Sequence, residues 1–291
     1  MATMLVFVLC CAAGADATPP VSPEVHARSL AVLHEALAEG KVWVKVHAAE
    51  SLLWTGNPEG VRELFLKEAE APEPFYRIGV WRVLAQATAD PAERTMYTEK
   101  IAAVLLDTKA EDRGHAAETL GKLGYSSHDP EIVRMAQVET GSTLPLVRWV
   151  MANSGDAKDE AALAELLTSD NVDTRGCAAY ALRFFKTIRP QTYAQLAAAA
   201  GKEPAESTHR INMLSPWYLH APEAERPAIH AKLLEYAERG TKDDKREMCA
   251  ALGRVPNAAD LPVLVRLLDD PDLDARSGAA EAVLRVERAL K

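Results

Sequence analysis

The stretch LPVLVRLLDDPDLDAR, residues 261–276, runs directly on to Ala279 and Ala280. Its first half spaces Leu261, Leu264, Val265 and Leu268 as one face of a helix. An acidic, proline-bearing turn follows at Asp269–Asp274, and Arg276 then heads a second helix. The small residues Ala279 and Ala280 sit three and four positions beyond that arginine, on the stripe a neighbouring helix would touch. The stretch therefore reads as helix, turn, helix.

The same unit recurs along the chain. Lys45, Arg77, Arg113, Arg148, Arg175, Arg210, Arg246 and Arg276 follow one another at intervals of 27 to 36 residues, roughly 33 on average, as expected for a helical repeat. Three positions after them stand Ala48, Val80, Ala116, Met151, Ala178, Met213, Cys249 and Ala279; four positions after stand Ala49, Trp81, Ala117, Ala152, Ala179, Leu214, Ala250 and Ala280. All are apolar. Seven positions on come Leu52, Leu84, Leu120, Leu182, Trp217 and Val283, with Gly155 and Gly253 as exceptions. Small residues let helices approach, and the larger one fills the gap between layers. Ahead of each such helix lies another amphipathic stretch, opened in several cases by proline, as at Asn57-Pro58, Asp90-Pro91, Asp129-Pro130, Arg189-Pro190 and Ala221-Pro222. The spacing predicts helix pairs over 28–54, 59–87, 91–124, 130–155, 158–186, 190–216, 222–253 and 260–288.

This pattern resembles the HEAT repeat, including the short variety first noted in bilin lyases, over nearly everything after residue 27, most closely at Leu261–Ala280. The resemblance implies an all-α fold, a right-handed α-α superhelix (solenoid) of about eight HEAT-like helix pairs occupying residues 28–291. It also implies a ladder between neighbouring units made by the turn aspartate and the following arginine, Asp274 with Arg276 and Asp173 with Arg175. The pattern departs most between 190 and 222, where Ser215-Pro216 predicts a kink or a longer loop.

Composition narrows the function classes. The chain carries 48% apolar and 26% charged residues, as soluble globular proteins do, and a formal charge of -9. That balance argues against nucleic acid as a partner, because phosphate tracking needs clustered Lys and Arg. Met4–Ala15 is an uncharged apolar run, too short to span a membrane, with Ala13-Gly14-Ala15 or Ala15-Asp16-Ala17 as a cleavage pattern. It reads as a leader over 1–17 followed by a linker over 18–27, and the alternative is simply a hydrophobic N-terminus. The first reading sends the protein to the periplasm or outside the cell; the second leaves it in the cytoplasm. Cys11 offers a weak lipid-anchor motif. Beyond the leader only Cys177 and Cys249 remain, which suits buried free thiols.

Two tetrads, His47-Ala48-Ala49-Glu50 and His115-Ala116-Ala117-Glu118, each place an imidazole and a carboxylate on one helical face. HEAT-type deoxyhypusine hydroxylases bind iron through His and Glu of their second helices, but there the two residues are adjacent and recur in neighbouring repeats. With stacking distances of 8–10 Å per layer, the tetrads would lie about 20 Å apart, too far for one bimetallic centre. No metal or cofactor is therefore expected, and His beside a solvated Glu is the simpler reading.

In a HEAT array the second helices line the concave side. Positions two and five after each ladder residue then border a groove, giving His47, Gly79, His115, Val150, Cys177, Asn212, Met248 and Gly278, and Glu50, Arg82, Glu118, Asn153, Tyr180, Ser215, Ala251 and Glu281. His47, Glu50, Arg82, His115, Glu118, Asn153, Tyr180 and Asn212 are the binding candidates, and their mixed polarity suits a protein or peptide partner. Trp43 is the tryptophan best placed for exposure, while Trp81 falls in a small-residue column and belongs in the core. His26, His34, His128, His209, His220 and His230 read as surface residues, and Glu235–Glu247 as a solvated helix end. No phosphate loop, HExxH, GxSxG or paired CxxC occurs. A non-enzymatic protein- or peptide-binding scaffold is the function expected; the alternative is a metal-dependent or lyase-type enzyme built on His47, Glu50, His115 and Glu118.

Overall fold

The computed structural model describes residues 21–70 and 73–291; the expected leader over 1–17, with Cys11, lies outside them. Among the described residues the chain is helical, with no strand, and no helix is long and apolar enough to cross a membrane. In chain order the helices are α1 (Pro23–Glu39), α2 (Trp43–Thr55), α3 (Val61–Leu66), α4 (Pro74–Ala87), α5 (Pro91–Leu106), α6 (Arg113–Lys122), α7 (Pro130–Val138), α8 (Thr143–Ala152) and α9 (Ala157–Glu165). They continue with α10 (Val172–Leu182), α11 (Pro190–Lys202), α12 (Arg210–His220), α13 (Arg226–Leu234), α14 (Tyr236–Arg239), α15 (Lys242–Arg254), α16 (Leu261–Leu267) and α17 (Leu273–Leu290).

Local chemistry sets many of these boundaries. Ser22, Asp90, Asp129, Asp156, Asn171 and Asp272 each accept a hydrogen bond from a backbone N–H of the first helical turn, and several are followed directly by proline. Thr241 and Asp244 form a reciprocal capping box on α15. Helix α1 starts at Pro23, so residues 23–27, expected as linker, form its first turn. Two proline signals mislead. Pro58 and Pro222 stand in turns, and their helices open later, at Val61 and Arg226. Helix α12 continues through Pro216 to His220, four residues beyond the expected end of its unit.

Every ladder residue falls within the first two turns of a helix, on α2, α4, α6, α8, α10, α12, α15 and α17. The predicted apolar stripe behind it is buried, apart from the partly exposed Trp81, Ala250 and Trp217. The ladder residues bind locally and across units. Arg77 grips Asp112 with two hydrogen bonds at 2.9 and 3.0 Å, Arg175 grips Glu203 at 2.7 and 3.1 Å, and Lys45 reaches Glu68 at 2.8 Å. Arg113 and Arg148 donate to the carbonyls of Leu105 and Ala136, and Arg210 to that of Glu203. The residues expected to form a ladder between neighbouring units, Asp274 with Arg276 and Asp173 with Arg175, take these partners. Asp274 faces Arg246 and His47, Arg276 binds Glu35, and Asp173 binds His209.

The order of contacts closes on itself. The ladder-bearing helices touch in sequence from α2 through α4, α6, α8, α10, α12 and α15 to α17, and α17 packs against both α1 and α2. The first and last helices share one apolar core, which joins Leu33, Ala36, Val46 and Leu52 to Ala279, Val283 and Val286. A second core fills the opposite side around Leu120, Trp149, Leu163 and Leu182. Polar contacts seal the junction: His26 to Glu287 at 2.6 Å, His47 to Asp274 at 3.0 Å and Ser51 to Glu281 at 2.7 Å, with Arg28 on Asp269. His47 and Asp274, and Ser51 and Glu281, are residues at like heights, so α2 and α17 run in the same direction. Close approach elsewhere in the circuit needs glycine. A Cβ at Gly121 would come within 2.4 Å of the Trp149 ring.

Burial of Leu120 leads to the expectation that Leu120→Ala lowers unfolding free energy by about 2–5 kcal/mol, measured by urea denaturation. A loss below ~0.5 kcal/mol would misplace the apolar stripe. Adjacency of the two ends predicts that a permutant joining Lys291 to Val21 through about ten residues, a reach of roughly 33 Å, and opened between Lys186 and Thr187, keeps its helicity and cooperative melting.

Candidate functional site

The row five positions after the ladder turns inward and meets at the centre of the circuit. Glu50 and Arg82 are each only 1% exposed and pair at 2.8 Å. Arg82 also donates to Thr119 Oγ1 at 3.1 Å, and Gln86 donates to the other oxygen of Glu50 at 2.8 Å. On α6, Glu118 Oε1 receives Lys122 Nζ at 2.7 Å and the Tyr180 hydroxyl at 2.8 Å. Directly after α10, at its C-cap, Arg183 reaches Glu247 on α15 at 2.5 Å and lies over the Tyr180 and Phe184 rings. On α17, Glu281 takes Arg285 at 2.7 Å. Glu50, Arg82, Glu118 and Tyr180 therefore share one charged cluster and do not border an open groove.

Electrostatics inside the cluster follow from burial set against pairing. Burial pushes the Glu50 carboxyl up, but Arg82, Lys122 and the Gln86 hydrogen bond outweigh it and lower the pKa to about 2. The same contest, with Lys122 and Arg82 as the opposing charges, holds Glu118 well below the usual carboxylate range. Burial and Arg82 push the Lys122 ammonium down against the pull of Glu118 and Glu50. Tyr180, raised by burial and by Glu118, stays a hydroxyl donor. Burial, and after it Arg246, lowers His47 to about 4, so its imidazole is neutral near pH 7 despite the Asp274 hydrogen bond.

Beside this cluster, where α2 and α4 begin, lies an open cleft of about 840 Å³ that includes Val42, Trp43, Phe75, Tyr76 and His115. The Trp43 and His115 rings stack at 5.3 Å and 11°, and Phe75 meets His115 edge-on at 4.9 Å. Arg82 sits 5.9 Å from the Trp43 ring, so Trp43 separates the cleft from the charged centre. Val42, at φ +45°, is the only non-glycine among the described residues with positive φ, a conformation that is costly for a β-branched residue. It is 45% exposed and Phe75 40% exposed, and both are apolar. Trp43 is half-buried on this wall, as Trp54, Trp81 and Trp217 are elsewhere, and Lys45 and Glu68 pair at its edge.

Several sequence expectations change in the folded chain. The two tetrads, expected about 20 Å apart by straight stacking, converge: Arg82 and Lys122 each feel both Glu50 and Glu118, and Trp43 of α2 stacks on His115 of α6. Closure of the circuit bends the stack enough to bring alternate units together. Among the described residues no group of three His, Cys, Asp or Glu is placed to hold a metal ion. Asn153 lies outside the cluster and holds the Gly121 and Tyr125 carbonyls, and Asn212 pairs with His209.

Glu247, expected on a solvated helix end, is buried at the centre. Of the histidines expected at the surface, His128 is exposed and pairs there with Asp159, while His209 and His230 are half-buried and bridge units to Asp173 and Asp260. Cys249 is buried and free, pushed up to about 12 by burial, while Cys177 is half-buried. Lys122 and Arg285 were missed. Both stand nine positions after a ladder residue, one turn beyond Glu118 and Glu281, in a row that also carries Trp54, Gln86 and Phe184. Reading that next turn would have found them.

No protein-family model matches the chain, and no curated protein matches it.

Depressed pKa values at His47 and Glu50 make both groups bind protons more readily in the unfolded chain, so both lose stabilisation as pH falls. Stability should decline in two stages, between about pH 6.5 and 4 as His47 is forced to charge, then between about 4.5 and 2 as Glu50 is neutralised beside Arg82. The Glu50 stage is on the order of 3 kcal/mol. Burial also lowers His115 and His220, and, against burial, Lys122 and Arg82 lower Glu118, so chemical denaturation across pH should show the upper stage reduced in His47→Asn and the lower reduced in Glu50→Gln.

Proposed function

We propose that this chain is a HEAT-type repeat protein of about eight helix pairs that acts as a non-enzymatic scaffold, holding a protein or peptide at the Trp43–Phe75 cleft. The ladder spacing, the helix-turn-helix order and the contacts between successive ladder-bearing helices support the repeat assignment. The observation that carries the binding reading is Val42, an apolar side chain held out to solvent in a strained backbone conformation beside exposed Phe75 and half-buried Trp43. Strain of that kind persists where the surrounding fold imposes it, and it clusters at binding sites. Aromatic and aliphatic anchors in a cleft are the residues that dominate interface energetics.

The enzymatic alternative draws on His47, Glu50, His115 and Glu118, of which His47, Glu50 and Glu118 line the central cavity while His115 lies on the cleft. Its carboxylates are committed: Glu50 to Arg82 and Gln86, Glu118 to Lys122 and Tyr180. A metal would have to displace those partners. The scaffold reading is therefore preferred.

Phe75→Asp and Val42→Asp, both at exposed positions, should leave circular dichroism unchanged and weaken capture of the native partner in crosslinking pulldown at least tenfold. Undiminished capture by the folded double variant would remove the cleft from the binding surface.

A further inference from the structure

The charged centre encloses a cavity of about 110 Å³, walled by side chains from α2, α6, α10, α15 and α17. Three of the residues lining it carry buried polar atoms with no hydrogen-bond partner, Arg183 Nε, Arg246 Nε and Glu247 Oε1, although Arg183 and Glu247 pair with each other through their other atoms. Both residues are more than nine-tenths buried. An unpaired donor and an unpaired acceptor at one small site ask for a ligand that both accepts and donates.

Charge balance sharpens that demand. Around the cavity each anion has its own cation: Glu50 with Arg82, Glu118 with Lys122, Glu247 with Arg183, Glu281 with Arg285 and Asp274 with Arg246. An entering ion of net charge would stand uncompensated in a low-dielectric interior, which is costly. A molecule carrying both signs brings its own compensation and matches a wall that presents both. Size sets the other limit. A cavity of about 150 Å³ admits benzene, with its six heavy atoms, so this one of about 110 Å³ accommodates roughly four or five. His47 and Arg246, with side chains 19% and 20% exposed, form the rim toward the face where the ladder-bearing helices begin.

We propose that the central cavity binds a small zwitterion of the α-amino acid class, its carboxylate taken by Arg183 and Lys122 and its ammonium by Glu247. The site is separate from the cleft and does not depend on the scaffold reading.

Isothermal titration of the full chain with glycine and alanine tests this directly, with acetate, methylammonium and phenylalanine at the same concentrations as controls. Saturable heat is expected for glycine with a dissociation constant of about 10 mM or tighter, accompanied by a rise in melting temperature, and weaker binding for alanine, which is one heavy atom larger. The two singly charged controls and the oversized phenylalanine should give none. Glu247→Gln should weaken binding at least tenfold. Ala250→Leu, which fills the cavity while leaving every ion pair in place, should abolish it even if Glu247→Gln folds poorly. The proposal is overturned if neither small zwitterion gives saturable heat, if acetate or methylammonium binds equally well, or if folded Ala250→Leu still binds; the cavity then holds solvent alone.

Discussion

The packing of α17 against α1 and α2 is the contact on which the rest of the molecule depends. It places residues from both ends of the chain in one apolar core, so that the row of helices has no free final face there. A linear stack leaves its terminal units half-covered and needs capping residues to keep them soluble. Here each end covers the other. The same contact turns the ladder-bearing helices around a common centre, and side chains that would have faced water in an open array must instead face one another.

That convergence explains the density of paired charges at the centre. Groups such as Glu50, Arg82, Glu118, Lys122 and Arg183 cannot be left there singly, because desolvating an isolated charge costs several kcal/mol. Pairing, hydrogen bonds from Gln86, Thr119 and Tyr180, and the aromatic faces of Tyr180 and Phe184 offset the loss of water. Buried ion pairs of this type add little net stability compared with well-packed apolar groups. Their effect is to fix which helix faces which. Glu50 has Arg82 at 2.8 Å and Glu247 has Arg183 at 2.5 Å, each pair joining two different helical units.

Much of this was legible before any coordinates. The ladder residues and the apolar positions three, four and seven beyond them follow from helix periodicity alone, and Ala48, Ala116, Ala178 and Ala279 are all fully buried. Caps such as Asp129 and Asp272 announce themselves through side-chain chemistry. Curvature does not, because it is the sum of small rotations between neighbours set by side-chain volumes at every interface. Without it, Glu50 and Glu118 sit two layers apart, and a carboxylate on a helix face reads as solvated. The strain at Val42 was equally hidden, since nothing in a valine between Lys41 and Trp43 marks a positive φ.

Contacts between His26 and Glu287, or Ser51 and Glu281, span nearly the whole length of the polypeptide. A chain synthesised from its N-terminus can assemble successive neighbours as they emerge, but this junction has to wait for α17, which emerges after the other helices of the circuit. Until then α1 and α2 expose an apolar surface whose eventual partner does not yet exist, the circumstance in which nascent chains recruit chaperones or aggregate. The large sequence separation also raises the mean contact order above that of an open helical array, which slows the final step relative to the local helix pairings.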